Sequence, residues 1–121
     1  MPVTRACVLV VDDDPMIRRL VRAVLEADEF EVIDAPDGAT ALAIIGEKHP
    51  AVVVLDVMMP GLSGLEVLEQ IDHNETRVVM LTARADPDME DACRAAGAAR
   101  FLTKPFSSME LLEVVASLVN T

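Results

Sequence analysis

Three short stretches of the chain are apolar without interruption: Cys7-Val-Leu-Val-Val11, Ala51-Val-Val-Val-Leu55 and Val78-Val-Met-Leu81. Each has strand length and is rich in β-branched residues. A strand with no polar face is expected inside a parallel sheet covered by helices on both sides. Residues 30–35 and 100–103 are shorter and more polar, which places them at the edges or ends of that sheet. Helical periodicity fills the gaps. Pro15 stands where a helix start tolerates its missing N–H, and Ile17, Leu20, Val21, Val24 and Leu25 then repeat at helical spacing. Ala41, Leu42 and Ile45 mark a second helix starting near Asp37-Gly38, and Leu65, Leu68 and Ile71 a third after Ser63-Gly64. A fourth runs from about Asp86-Pro87 to Ala96 with Gly97 as its stop, and a fifth follows Ser107-Ser108 with Glu110 in its first turn. Five βα units of short spacing predict an α/β fold, a doubly wound (βα)5 sandwich of flavodoxin-like type with a five-stranded parallel sheet.

Composition narrows the function. The 121 residues are 52% hydrophobic and 26% charged, enough for one domain with a real core. Ten Lys and Arg against twenty-one Asp and Glu give a net charge of −11, which argues against direct nucleic-acid binding or attachment to an anionic membrane. Phe30, Phe101 and Phe106 are the only aromatics, too few to stack bases or a flavin. Cys7 and Cys93 show no metal-binding spacing and read as buried free thiols. Residues 1–6 lack the pattern of a signal peptide, and no apolar run approaches the roughly 20 residues that cross a bilayer. A cytoplasmic location is expected.

In an open parallel sheet, ligands gather beyond the carboxyl ends of the strands. There the chain carries Asp12, Asp13 and Asp14 after the first strand, Asp56 after the third, Thr82 after the fourth and Lys104-Pro105 after the fifth. Clustered carboxylates at neutral pH must hold protons or a cation, and carboxylates with a backbone carbonyl and waters suit Mg²⁺, with Mn²⁺ as a substitute. Such a cation and Lys104 would neutralise an incoming phosphoryl group, with a hydrogen bond from Thr82. An Asp carboxylate is a competent nucleophile for that group.

The segments Val-Leu-Val-Val-Asp-Asp-Asp-Pro, Leu-Asp-Val-Met-Met-Pro-Gly-Leu-Ser-Gly, Met-Leu-Thr-Ala and Phe-Leu-Thr-Lys-Pro-Phe, in this order, resemble the receiver domain of bacterial two-component response regulators. The resemblance covers essentially the whole chain, residues 1–121. It implies that Asp56 is the phosphoacceptor for a phosphohistidine on a sensor kinase or phosphotransfer protein. It also implies direct ligation of Mg²⁺ by Asp13, Asp56 and the Met58 carbonyl, with Asp12 acting through water. Thr82 and Lys104 would contact phosphoryl oxygens, and Lys104–Pro105 would be a cis peptide. Asp14 is an exposed neighbour near the helix start. The domain would be a switch rather than a metabolic enzyme, assisting its own phosphorylation and dephosphorylation. Its fourth helix, fifth strand and fifth helix would address an output domain, a partner or a second copy. Whether it stands alone or fronts a longer regulator is open.

Several positions depart from the commonest pattern. The switch aromatic falls on Phe101, which has no hydroxyl and is alternatively a fixed core residue. Met58 and Arg84 lie two residues beyond Asp56 and Thr82, where they could shield or reach the acyl phosphate. Ala99 and Arg100 replace the acidic residues of a salt-bridged dimer. On the last helix Met109, Leu112, Val115 and Val119 form one apolar stripe, and Leu111, Val114 and Leu118 a second that could meet a partner. Arg18, Arg19 and Arg22 form a positive patch near the expected kinase-docking helix, or simply pair with surface acids. His49 and His73 read as solvated loop residues.

Two other functions fit less well. A haloacid dehalogenase-like phosphohydrolase wants a second Asp where Met58 stands, together with a cap domain. A flavodoxin-like electron carrier wants a hydroxyl- and glycine-rich phosphate loop and aromatics over the flavin.

Overall fold

A computed structural model describes residues 5–84 and 86–119; residues 1–4, most of the segment read as lacking a signal peptide, lie outside it, as do Asn120 and Thr121. Five strands, β1 (Cys7–Val11), β2 (Glu31–Ala35), β3 (Val52–Asp56), β4 (Arg77–Thr82) and β5 (Arg100–Thr103), alternate with five helices. These are α1 (Pro15–Ala27), α2 (Gly38–Lys48), α3 (Gly64–Leu68), α4 (Pro87–Ala95) and α5 (Ser108–Val119). All strand pairs are parallel, in the order β2-β1-β3-β4-β5. The apolar runs β1, β3 and β4 are interior, and the more polar β2 and β5 are the edges. The expected doubly wound α/β sandwich is the observed fold.

Because side chains alternate along a strand, each central strand feeds two cores. Leu9, Val11, Val53, Leu55 and Met80 pack towards α2, α3 and α4, while Val8, Val10, Val54, Val79 and Leu81 pack towards α1 and α5. The helix starts are where the polar punctuation placed them. Asp14 caps α1 by accepting from the Met16 amide at 2.8 Å, ahead of Pro15. Asp37 caps α2, and Ser63 and Glu66 close a reciprocal capping box on α3. Ser107 and Glu110 make the same box before α5.

Some expectations are corrected. Leu20 is 50% exposed, because it lies at the margin of the α1 stripe whose buried centre is Val21 and Leu25, with Ile17 and Val24 beside them. The two apolar stripes of α5 are halves of one wide buried face. Leu111, Val115 and Leu118 lie on its midline, Leu112, Val114 and Val119 flank it, and Met109 on the far side is 70% exposed. The stripe read as a partner surface is therefore largely core. His73 is not a solvated residue. Its Nε2 lies 3.1 Å from the Leu68 carbonyl oxygen, and its ring fills the space that a side chain at Gly97 would need. His49 is exposed, at the left-handed C-cap of α2. Cys93 is buried, Cys7 half-buried, and both are free thiols.

Gly64 brings the start of α3 against the end of β3: its N–H donates to the Val57 carbonyl at 3.0 Å, and a Cβ there would fall on the Asp56 carbonyl oxygen. Backbone cannot yield as a side-chain tip does. Gly64→Ala is expected to lower urea-unfolding stability by about 1–3 kcal/mol, the usual cost of overpacking. A variant as stable as the wild type would show that the turn accommodates the methyl group.

Candidate phosphoacceptor site

The chain turns back over β1 to reach β3, so the strand order reverses between these two neighbours. Val11 pairs with Leu55, so the residues that follow, Asp12 and Asp56, emerge side by side at this switch point. Thr82 ends β4 next to Asp56. The Lys104 N–H donates to the Thr82 carbonyl at 2.6 Å, which continues the β4–β5 pairing and brings the lysine to the same rim. The Lys104–Pro105 peptide is cis.

Asp12 is fully buried, and Asp56 and Thr82 are nearly so. The Asp12 carboxylate accepts from the Asp14 amide at 2.9 Å through Oδ1 and from Lys104 Nζ at 2.9 Å through Oδ2. Lys104 Nζ also stands 3.7 Å from Asp56 Oδ1, which accepts from the Met58 amide at 3.2 Å. Thr82 Oγ1 accepts from the Arg84 amide at 3.2 Å, which leaves its own proton free to donate elsewhere. Asp13 is exposed, yet it contributes an oxygen to the group formed with Asp12 and Asp56, in which the carboxylate oxygens lie within 4.8 Å of one another.

Burial pushes the Asp56 carboxyl up to about 6, reinforced by the charges of Asp12 and Asp13 and opposed by Lys104 and the Met58 N–H. Three carboxylates against one ammonium leave two surplus negative charges on this rim, which one divalent cation offsets. The donors are all oxygen, with no imidazole or thiolate among them, as a hard cation such as Mg²⁺ or Mn²⁺ requires. The residues present fit such an ion.

Asp12, Asp13, Asp56, Thr82 and Lys104, the residues singled out at the strand ends, lie together at this rim. Met58 is 69% exposed, and with Val57, Thr82, Arg84, Asp86 and Met89 it lines a cavity of about 230 Å³. Phe101 is half-buried and packs on the α3–α4 side. It pairs with Met80, two residues before Thr82 and on the same face of β4, so Thr82 and Phe101 project from one sheet face. Of the two readings of the α1 arginines, the structure favours pairing with acids for Arg18 and Arg22. Arg18 and Arg22 both bind the Asp34 carboxylate, at 3.1 and 2.8 Å, and only Arg19 of the three is exposed. Asp34 was not singled out, since a single acid in an edge strand carries no motif.

The raised Asp56 pKa has a testable sign. A carboxyl that titrates at 3.8 unfolded and about 6 folded stabilises the fold while protonated, and that stability is lost as pH rises through about 6. In chelator, Asp56→Asn should be more stable than wild type at about pH 7.5, by up to about 3 kcal/mol. The difference should vanish near pH 4 in paired urea titrations. A difference independent of pH would place the strain elsewhere.

Comparison with known proteins agrees with this geometry. The family model for the response regulator receiver domain matches residues 8–116. A curated relative, "Probable transcriptional regulator ycf27" of Cyanophora paradoxa, is 38% identical over 99% of this chain and 51% of its own length. The transcriptional regulatory protein SrrA of Staphylococcus aureus is 34% identical over 93% of this chain and 47% of its own. The chain thus spans about half the length of these relatives. The chemotaxis response regulator CheY4 of Vibrio cholerae superposes with a TM-score of 0.89 at 34% identity, covering 95% of this chain and 99% of that one. The receiver domain of Francisella response regulator 1452 does so with a TM-score of 0.89 at 32% identity, covering 96% and 98%. With its acidic switch point, its lysine and its five-stranded sheet accounted for, this chain belongs to the response regulator receiver domain family, the signalling switch of two-component systems.

Proposed function

We propose that Asp56 is the phosphoacceptor of this domain and that its donor is a phosphohistidine on a sensor kinase or phosphotransfer protein. The observation that carries this reading is Lys104 Nζ standing between the buried carboxylates of Asp12 and Asp56. In the reaction an Asp56 oxygen forms a bond to phosphorus as the bond from phosphorus to the donor nitrogen breaks, its electron pair passing to the imidazole. The Lys104 ammonium compensates charge on the phosphoryl oxygens, and Thr82 donates its free proton to one of them. Asp13, Asp56 and the Met58 carbonyl would hold Mg²⁺ directly and Asp12 through water; the ion supplies the remaining positive charge.

Phosphorylation then draws Thr82 towards the phosphate and makes room on its sheet face for Phe101, coupling the rim to α4, β5 and α5. That surface addresses an output domain, a partner protein or a second copy of the chain. The net charge of −11 favours protein partners over nucleic acid. No helix among the described residues is long and apolar enough to cross a membrane, and the domain is read as cytoplasmic.

Intact mass after incubation with acetyl phosphate and Mg²⁺ should show one added phosphoryl group in the wild type, and none in Asp56→Asn or in chelator. A wild type that gains no mass would leave a receiver fold that signals without phosphorylation. The lifetime of the phosphorylated state should depend on the cavity beside it. The Met58 thioether offers an attacking water no strong hydrogen bond, and Arg84, which lines the same cavity, would reach the phosphoryl oxygens. Met58→Asn and Arg84→Ala should each speed hydrolysis by about fivefold, the value of one positioned hydrogen bond of about 1 kcal/mol. Unchanged decay rates would remove both residues from this role.

A further inference from the structure

We infer that Arg18 is a positioning residue for Asp13. The inference rests on the reading of Asp12, Asp13 and Asp56 as a cation site. Beyond the last pair of the β1–β2 ladder, the Asp12 N–H still donates to the Ala35 carbonyl at 3.3 Å, but the Asp12 carbonyl has left the sheet. It accepts from Arg18 Nη1 at 2.8 Å. That carbonyl and the Asp13 N–H belong to one rigid peptide plane, so gripping the oxygen sets the direction in which the Asp13 Cα and carboxylate leave the strand. Asp13 needs such a hold. It is exposed, while its neighbours are held by Lys104, by the Asp14 amide and, for Asp14, by the cap of α1.

The guanidinium is itself held. Its Nε donates to Asp34 Oδ2 at 3.1 Å, while Arg22 Nη1 takes Asp34 Oδ1 at 2.8 Å. Asp34 thus bridges two arginines one turn apart on α1, and only 18% of the Arg18 side chain is exposed. One planar fork serves a carboxylate on β2 and a carbonyl after β1 with separate N–H groups. A lysine ammonium, a single point on a flexible stem, does not reproduce that geometry.

Geometry and charge predict opposite effects, which makes the inference testable. A cation near an acidic cluster repels Mg²⁺, so by Coulomb's law alone its removal would tighten metal binding. Loss of the carbonyl grip would instead weaken it. The dissociation constant for Mn²⁺, measured by electron paramagnetic resonance of the free ion at low temperature with all proteins folded, distinguishes the two. Arg18→Lys, which keeps the charge, and Arg18→Gln, which removes it, should both bind Mn²⁺ about tenfold more weakly than wild type, as is typical when a partner that orients a metal ligand is lost. If Arg18→Lys matches wild type, or Arg18→Gln binds more tightly, Arg18 does not position Asp13 and the cation-site reading stands. If wild type itself binds no Mn²⁺ at millimolar concentration, that reading fails and takes the inference with it.

Discussion

The contact on which the rest depends is the ammonium of Lys104 held between the carboxylates of Asp12 and Asp56. It joins residues 92 positions apart in the chain and reaches from the end of β5 past the ends of β4 and β3 to β1. Two carboxylates this deeply buried would be untenable without a counter-charge. The counter-charge arrives only if β1, β3, β4 and β5 are in register and end together at one rim. The continued pairing of Lys104 with Thr82 and of Asp12 with Ala35 shows how: the ladders run one residue beyond the strands and deliver the charged groups on backbone rails.

The compensation is incomplete. Lys104 answers one of three carboxylates, and the Asp56 pKa is raised first by burial and then by the neighbouring charges of Asp12 and Asp13. A fold optimised for stability alone would have replaced one of these acids by an apolar residue. Keeping them leaves a rim that is most comfortable once a cation, or a proton, has arrived, and local strain of this kind marks functional ground. The neighbours are arranged to tolerate it. Gly64 lets α3 approach the end of β3, the Met58 amide turns towards Asp56, and the Arg18–Asp34–Arg22 network braces the β1 side from behind.

Much of this was legible in the chain. The unbroken apolar runs mark strands covered on both faces, and Asp14-Pro15, Asp37, Ser63, Asp86-Pro87 and Ser107 mark helix starts, because capping is local chemistry that sequence neighbours decide. The candidate site was legible for the same reason: Asp12 and Lys104 directly follow strands, Asp56 and Thr82 end them, and parallel strands connected by helices all end on one side.

What resisted reading depended on rotation and on contacts between distant segments. Nearly every turn of α5 carries apolar residues, so periodicity allowed two stripes, and only packing on the sheet showed that Leu111, Val115 and Leu118 form the midline of one face. The arginines of α1 fitted a positive patch or pairing with acids equally well, and only β2, which places Asp34 between two of them, decided for pairing. His73 looked like a loop residue until Gly97, distant in sequence, left room for its ring. By itself the sequence determined the elements, their order and the acidic rim with its lysine, since these follow from local propensity and strand polarity. Only the tertiary structure decided which charges are paired, which apolar faces are spent on the core and how far Asp56 is driven from its ordinary pKa, since pairing and burial are properties of neighbours in space.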